Sequence, residues 1–310
     1  MSLTRNALLW AARNKWLGEH LPRRRFVRAA IRRFMPGETL EAAIKAAQQF
    51  AQRKVATTFT YLGEAVHDAA QADAATDHYI EVLDAIHASG LDTEISVKLT
   101  HLGYDVDQAL GTRNLERLAA KAEELGNFVW IDMESSAYVQ GTVDAYREVL
   151  AKHPNTGICL QAYLKRTQQD VADLLPLGPS IRMVKGAYKE PKDLVVGNKS
   201  RVAESFFELS MTILKSPGRK RLALATHDVE LIERIDKAAN AAGIGRSAFE
   251  VAMLYGIRQA DQFRLAQEGY KVRCLIAYGT AWYRWYVRRL AERPANVLFV
   301  VRNMFSRAHT

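Results

Sequence analysis

Short runs of β-branched, aliphatic and aromatic residues recur along the chain, and between them apolar residues return every three or four positions. The runs are 56–61 (ATTFTY), 94–99 (EISVKL), 128–132 (FVWID), 157–162 (GICLQA), 181–185 (IRMVK), 222–226 (LALAT), 249–253 (FEVAM) and 272–277 (VRCLIA). Helical spacing occupies the gaps at 77–89, 115–125, 142–152, 167–174, 200–214 and 229–242. Near-continuous apolarity suits strands covered on both faces. Eight alternations of strand and helix therefore predict an α/β chain closed as a (βα)8 barrel, with an open doubly wound sheet as the competing architecture. A nucleotide-binding doubly wound domain needs G-x-G-x-x-G or A leaving a strand and opening a helix. The one match, Gly243-Ile244-Gly245-Arg246-Ser247-Ala248, instead leaves a helix and enters a strand, so it reads as a helix C-cap and turn. Ahead of the first strand, Pro36-Gly37 breaks the chain and residues 39–54 return to helical spacing, which divides the chain into an N-terminal helical arm (1–54) and a barrel (55–310).

Composition narrows the class. The 310 residues are 48% hydrophobic and 25% charged, which excludes disordered and collagen-like chains. Cys159 and Cys274 are too few for a disulfide framework and fall in apolar runs, so both read as buried thiols in a reducing compartment. Eight histidines without H-x-H or H-E-x-x-H spacing make no metal site. No stretch of 18 uninterrupted apolar residues occurs. The formal charge of +9 is concentrated: residues 1–35 hold nine Arg and Lys against Glu19 alone, 9 − 1 = +8, leaving +1 for the rest. A basic arm on a near-neutral body suggests a solvated helix face or contact with an anionic surface rather than a nucleic-acid-binding domain. The expected location is cytoplasmic, with peripheral contact at the inner face of the membrane.

In a barrel the chemistry sits at the C-terminal ends of the strands, above an interior expected to be apolar. Five successive runs end in polar groups: Lys98, then Asp132 with Glu134, Gln161 with Tyr163, Arg182 with Lys185 and Tyr188, and Thr226 with His227 and Asp228. Asp132 and Asp228 also suit helix N-caps, and Lys98 and Lys185 suit buried pairs with Asp132 or Glu134. Convergence of so many charges in one mouth is costly unless they neutralise one another or a bound anion. After the eighth run comes Tyr278-Gly279-Thr280, then a helical stretch (281–293, AWYRWYVRRLAER) with Arg288 and Arg289 side by side. Adjacent arginines lie about 100° apart on a helix, so one can reach into the mouth while the other meets a second anion or Glu292. A solvated basic last turn explains the same pair.

SVKLT, WIDME, LQAY, RMVKGAYKE, ATHD, MLYG and YGTAWYRWYVRRLAERPAN, in this order and at these gaps, resemble the short monofunctional bacterial proline dehydrogenases from residue 56 to about 303. The resemblance implies a distorted (βα)8 TIM-like barrel holding FAD at its mouth, with N-terminal helices and a C-terminal helix over the top. It implies oxidation of L-proline to Δ1-pyrroline-5-carboxylate by hydride transfer from C5 to FAD N5. Electrons would pass to a membrane quinone, and the product to a pyrroline-5-carboxylate dehydrogenase. By motif position, Lys98, Arg288 and Arg289 would clamp the substrate carboxylate, with Asp132 beside Lys98 and Arg182 near N5. Gln161, Arg182, Val184, Lys185, Gly186, Tyr188, Thr226, His227 and Glu292 would surround the flavin. The chain departs from the family at two ring-side positions, where Leu275 and Trp285 replace tyrosines. Leu275 removes a phenol, which bears on selectivity between proline and 4-hydroxyproline. Tyr278 is a nearby candidate for the ring side.

Two other readings stay open on the sequence. A Schiff-base barrel of the class I aldolase kind would use Lys98 or Lys185 as nucleophile, with its pKa depressed by burial or a cationic neighbour. A non-enzymatic binder would dock the basic arm on an anionic surface, with steep salt dependence, and leaves the polar mouth unexplained.

Overall fold

The computed structural model describes residues 34–63, 65–219 and 221–282. Eight parallel strands, β1 (Ala56–Tyr61), β2 (Thr93–Val97), β3 (Val129–Ile131), β4 (Thr156–Gln161), β5 (Ser180–Val184), β6 (Arg221–Ala225), β7 (Glu250–Leu254) and β8 (Lys271–Tyr278), pair in sequence order. β8 pairs back onto β1 to close the barrel, which rules out the open sheet. Around it lie α1 (Leu40–Ala51), α2 (Ala69–Ser89), α3 (Gln108–Glu124), α4 (Val139–Leu150), α5 (Thr167–Leu174), α6 (Lys199–Lys215), α7 (Val229–Ala241) and α8 (Gln259–Gln267).

Helix starts are encoded locally. Asp68, Asp107, Asn198 and Asp228 each accept a hydrogen bond from the backbone N–H three residues on, satisfying a donor the first helical turn leaves open. The Gly243 stop after α7 has φ 73°, as the C-cap reading requires. α1 buries Ala43, Ala46, Ala47 and Phe50, with the Phe50 ring 5.7 Å from Tyr255 and 5.4 Å from Phe263. Residues 40–51 of the expected arm thus pack on the barrel, and Phe34 and Met35 are buried as well. No helix among the described residues is long and apolar enough to cross a membrane.

Parallel register decides which side chains share a face. Thr57, Ile95, Val129, Ile158, Ile181, Leu222, Val251 and Cys274 belong to the set turned toward the helices, where the hydrophobic core lies. The alternate set faces the barrel axis, and its lowest layer corrects the expected apolar interior. Glu94 and Arg221, on opposite sides of the barrel, meet at 2.7 Å; Glu250 lies 2.7 Å from Arg221; and Arg273 lies 3.3 Å from Glu94 and 3.5 Å from Glu250. Trp130 donates its indole N–H to Glu94 at 2.8 Å. Gly157 leaves room for that ring, because a Cβ there would overlap it. Two glutamates against two arginines make this floor electrically closed.

Candidate active site at the barrel mouth

Above the floor, the axial face of β2, β4 and β5 carries Ser96, Cys159 and Arg182, while Lys98 and Asp132 follow the ends of β2 and β3. Asp132 takes Lys98 Nζ on Oδ2 at 3.3 Å and Arg182 Nη2 on Oδ1 at 2.6 Å. The same Nη2 donates to Ser96 Oγ at 2.6 Å, Arg182 Nε donates to Cys159 Sγ at 2.7 Å, and the thiol points at Asp132 Oδ1 from 3.6 Å. Arg182 is only 4% exposed, so it lies one layer beneath the rim rather than on it. Lys98 is half-buried and spends one of its three N–H donors on Asp132; the other two have no partner among the described residues.

Burial pulls Lys98 toward neutrality, but the Asp132 carboxylate, joined by Tyr79, Tyr188 and Glu134, outweighs it and the ammonium is held above its usual pKa. Burial likewise raises Asp132, and Lys98, Arg182 and the hydrogen bond from Ser96 together outweigh it, so the carboxyl stays below the usual range. Both partners of the pair therefore point to a charged cluster. Glu134 is raised by burial and spends its oxygens on Thr100, at 3.0 Å from Oγ1 and 3.4 Å from the backbone N–H. It makes no ion pair among the described residues, so Lys98 and Arg182 share the single carboxylate of Asp132.

Lys185 pairs with Asp228 at 2.6 Å, not with Asp132 or Glu134 as the sequence allowed. Asp228 also caps α7 through Leu231, and Thr226 Oγ1 accepts from the Asp228 N–H at 3.2 Å. The His227 carbonyl accepts from Arg258 at 2.9 Å, which shapes the β6–α7 turn. Glu190 ties the loop after β5 to Ser136 and to the Tyr163 hydroxyl, and Tyr188 on that loop is half-buried near Lys98. Leu275 faces the axis and is half-buried. Tyr278 corrects the ring-side expectation. It is 1% exposed on the outer face, bonded through its hydroxyl to His78 Nε2 at 2.9 Å and packed on Phe59 and Tyr61. Trp285, Arg288, Arg289 and Glu292 lie outside the described residues.

The structure adds Ser96 and Cys159 to the residues the motifs singled out. Ser96 stands two positions before Lys98, so strand alternation carries the signal: both must share a face. Cys159 relates to Gln161 in the same way, but its residue type gave no hint.

A flavin fits this mouth. Gln161 is 2% exposed and donates Nε2 to the Glu134 carbonyl at 3.1 Å, yet its Oε1 is buried without a hydrogen-bond partner. Such an orphan acceptor suits a ligand N–H. Val184, Ala225, Ala252 and Leu254 face the axis but remain partly exposed, so small and aliphatic side chains leave space along β5–β7. Gly186 (φ 111°) brings its backbone against the Tyr163 ring, where a Cβ would collide.

A family model for proline dehydrogenase matches residues 43–302. Proline dehydrogenase of Deinococcus radiodurans is 38% identical over 307 residues, covering 97% of this chain and 98% of that protein. Proline dehydrogenase 2 of Bacillus subtilis is 34% identical over 308 residues, covering 97% of this chain and 99% of that protein. Among solved structures, proline utilization A from Bdellovibrio bacteriovorus, inactivated by N-propargylglycine, shares the fold with a TM-score of 0.80 at 21% identity. That match covers 93% of this chain and 38% of the longer protein.

Proposed function

The chain belongs to the proline dehydrogenase family, and from that premise we propose that it oxidises L-proline to Δ1-pyrroline-5-carboxylate with FAD, electrons passing on to a membrane quinone. The observation that carries this reading is Lys98, a half-buried ammonium fixed by Asp132 with two N–H donors that no described residue takes up. When bound, FAD supplies the two-electron acceptor. Gln161, Val184, Lys185, Gly186, Tyr188, Thr226 and His227, joined by Glu292, would hold it. Lys98, with Arg288 and Arg289, grips the substrate carboxylate and so presents the far end of the ring for reaction. The substrate nitrogen must be unprotonated, because its lone pair stabilises the developing iminium, and a cation-rich mouth favours loss of that proton. Arg182 places a fixed positive charge beneath the mouth, where it stabilises negative charge developing above it.

The Schiff-base alternative fares worse. A nucleophilic lysine needs a depressed pKa, whereas Asp132 holds Lys98 high, and Lys185 is paired with Asp228. For the basic arm, the reading is a peripheral contact with anionic lipid that favours quinone access. Since Phe34 and Met35 are buried, the truncation that tests it ends at residue 33. Loss of salt-sensitive vesicle sedimentation is expected, and unchanged sedimentation would leave the arm a solvated face.

The function is tested by the absorbance spectrum of the purified full chain, repeated after anaerobic addition of L-proline. A flavin spectrum that bleaches is expected. A colourless protein that borohydride traps covalently with substrate would replace this reading with the lysine one.

A further inference from the structure

The three axial arginines of the described residues are held in two different ways. Arg221 and Arg273 each lie at ion-pair distance from both Glu94 and Glu250, so carboxylates cancel their charge. Arg182 has one half-share of a carboxylate, since Asp132 divides itself between Arg182 and Lys98. The remaining contacts of Arg182 among the described residues are neutral: Ser96 Oγ on Nη2, Cys159 Sγ on Nε, and the Trp130 ring, whose centroid lies 5.0 Å from the guanidinium carbon.

Cys159 occupies the position where a carboxylate would complete a fork with Nε and Nη2 and neutralise the guanidinium. A thiol there does less and does it differently. It is a weak acceptor for the Nε–H and a weak donor toward Asp132 Oδ1, so it orients both groups without adding charge. Cys159 is 3% exposed, and burial pushes its thiol up to about 12, so it stays protonated at neutral pH. Register places Cys159 directly beside Arg182 on the neighbouring strand, which makes the contact a property of the sheet rather than of a mobile loop.

We propose that Cys159 is a positioning residue whose neutral thiol, with Ser96, fixes the Arg182 guanidinium while leaving its positive charge only partly cancelled beneath the barrel mouth. The inference rests on the reading that Arg182 acts on a flavin bound above it. Cancelling that charge would make the flavin harder to reduce and slow its reduction by substrate; freeing the guanidinium would have a smaller effect of the same sign.

The test compares Cys159→Ala, Cys159→Ser, Cys159→Asp, Ser96→Ala and Arg182→Lys in the flavin-loaded full chain. Three readouts are taken: the flavin midpoint potential by reductive titration, kcat and KM for L-proline separately, and far-ultraviolet circular dichroism for folding. Cys159→Asp is expected to move the potential to more negative values and lower kcat by about a hundredfold with little change in KM. Cys159→Ala and Ser96→Ala should shift it in the same direction with about a tenfold loss in kcat, and Cys159→Ser should recover most of the loss. Should Cys159→Asp fail to fold, the Ala pair decides. If Cys159→Ala and Ser96→Ala leave the potential unshifted and kcat within twofold of wild type while Arg182→Lys changes both, the cradle has no positioning role and the flavin reading stands. If Arg182→Lys changes neither, the flavin reading of Arg182 and the inference fall together.

Discussion

The barrel axis carries two clusters of carboxylates and cations, and they differ in how their charges close. On the floor, Glu94 and Glu250 face Arg221 and Arg273 one for one, and Arg273 adds the Asp92 carboxylate at 3.0 Å and the Thr57 carbonyl at 2.8 Å. At the mouth, Lys98 and Arg182 share Asp132, and among the described residues two Lys98 donors are left without a partner. A buried cluster whose charges and hydrogen bonds are complete is architecture; one that leaves a cation short of partners is prepared for a ligand.

Removing one group from each cluster separates these roles. Glu250→Ala strips Arg221 and Arg273 of a shared carboxylate, and breaking a buried pair in this way costs roughly 3–5 kcal/mol of stability. Urea denaturation reads that loss, while kcat/KM of the folded, flavin-loaded fraction should stay within about twofold of wild type. Lys98→Ala inverts the pattern. A loss of about 1.5–3 kcal/mol in transition-state binding, roughly ten- to a hundredfold in kcat/KM for L-proline, is expected. The urea midpoint should barely move, because Arg182 still holds Asp132. A large stability loss in Lys98→Ala would mean that the mouth cluster is architectural too.

Acid titration sharpens the contrast. Asp132 is lowered, so the stability it adds is complete above its unfolded pKa of about 3.9 and is lost only as pH falls through its lower folded value. Lys98 is raised, so its contribution is complete below its unfolded pKa of about 10.4 and is lost as pH rises through the folded value. Between these limits the cluster is silent. His101, on the turn after Lys98, is lowered to about 4 by burial and by the neighbouring Lys98 and His78 charges. Its unfolded form takes a proton near pH 6.5 and its folded form does not, so thermal stability should fall with pH from about 6.5 to 4. His101→Gln should flatten that slope. The smallest effect is reserved for Tyr278→Phe, which removes the bond to His78. About 0.5–1.5 kcal/mol of stability and no change in KM for L-proline are expected from an outer-face tyrosine.

Much of this was legible in the chain. Each expected strand lies within two residues of an observed one at both ends, and β1 (Ala56–Tyr61) coincides. The start of α2 was missed because Ala69–Thr76 is a run of small and polar residues with little apolar period to read, and the polar α8 gave no signal at all. Lys98, Asp132 and Gln161 stood out because charge or amide at a strand end needs a reason, and Arg182 because a charge inside an apolar run does. The floor was illegible for the opposite cause. Glu94, Arg221, Glu250 and Arg273 sit at or near strand beginnings, where charged residues normally reach solvent, and only closure of the barrel turns them onto one axis. Tyr278 was misplaced because a continuously apolar strand does not announce which alternate set faces inward.

The claim on which the rest depends is that an under-neutralised cation at the mouth reads the substrate's carboxylate. It is tested most directly by kcat/KM for L-proline against L-prolinamide, which keeps the ring but carries no anion, in the wild type and in Lys98→Ala. The wild type should prefer proline, and the preference should shrink by about ten- to a hundredfold in the variant. The same ratio in both proteins would show that Lys98 does not see the anion.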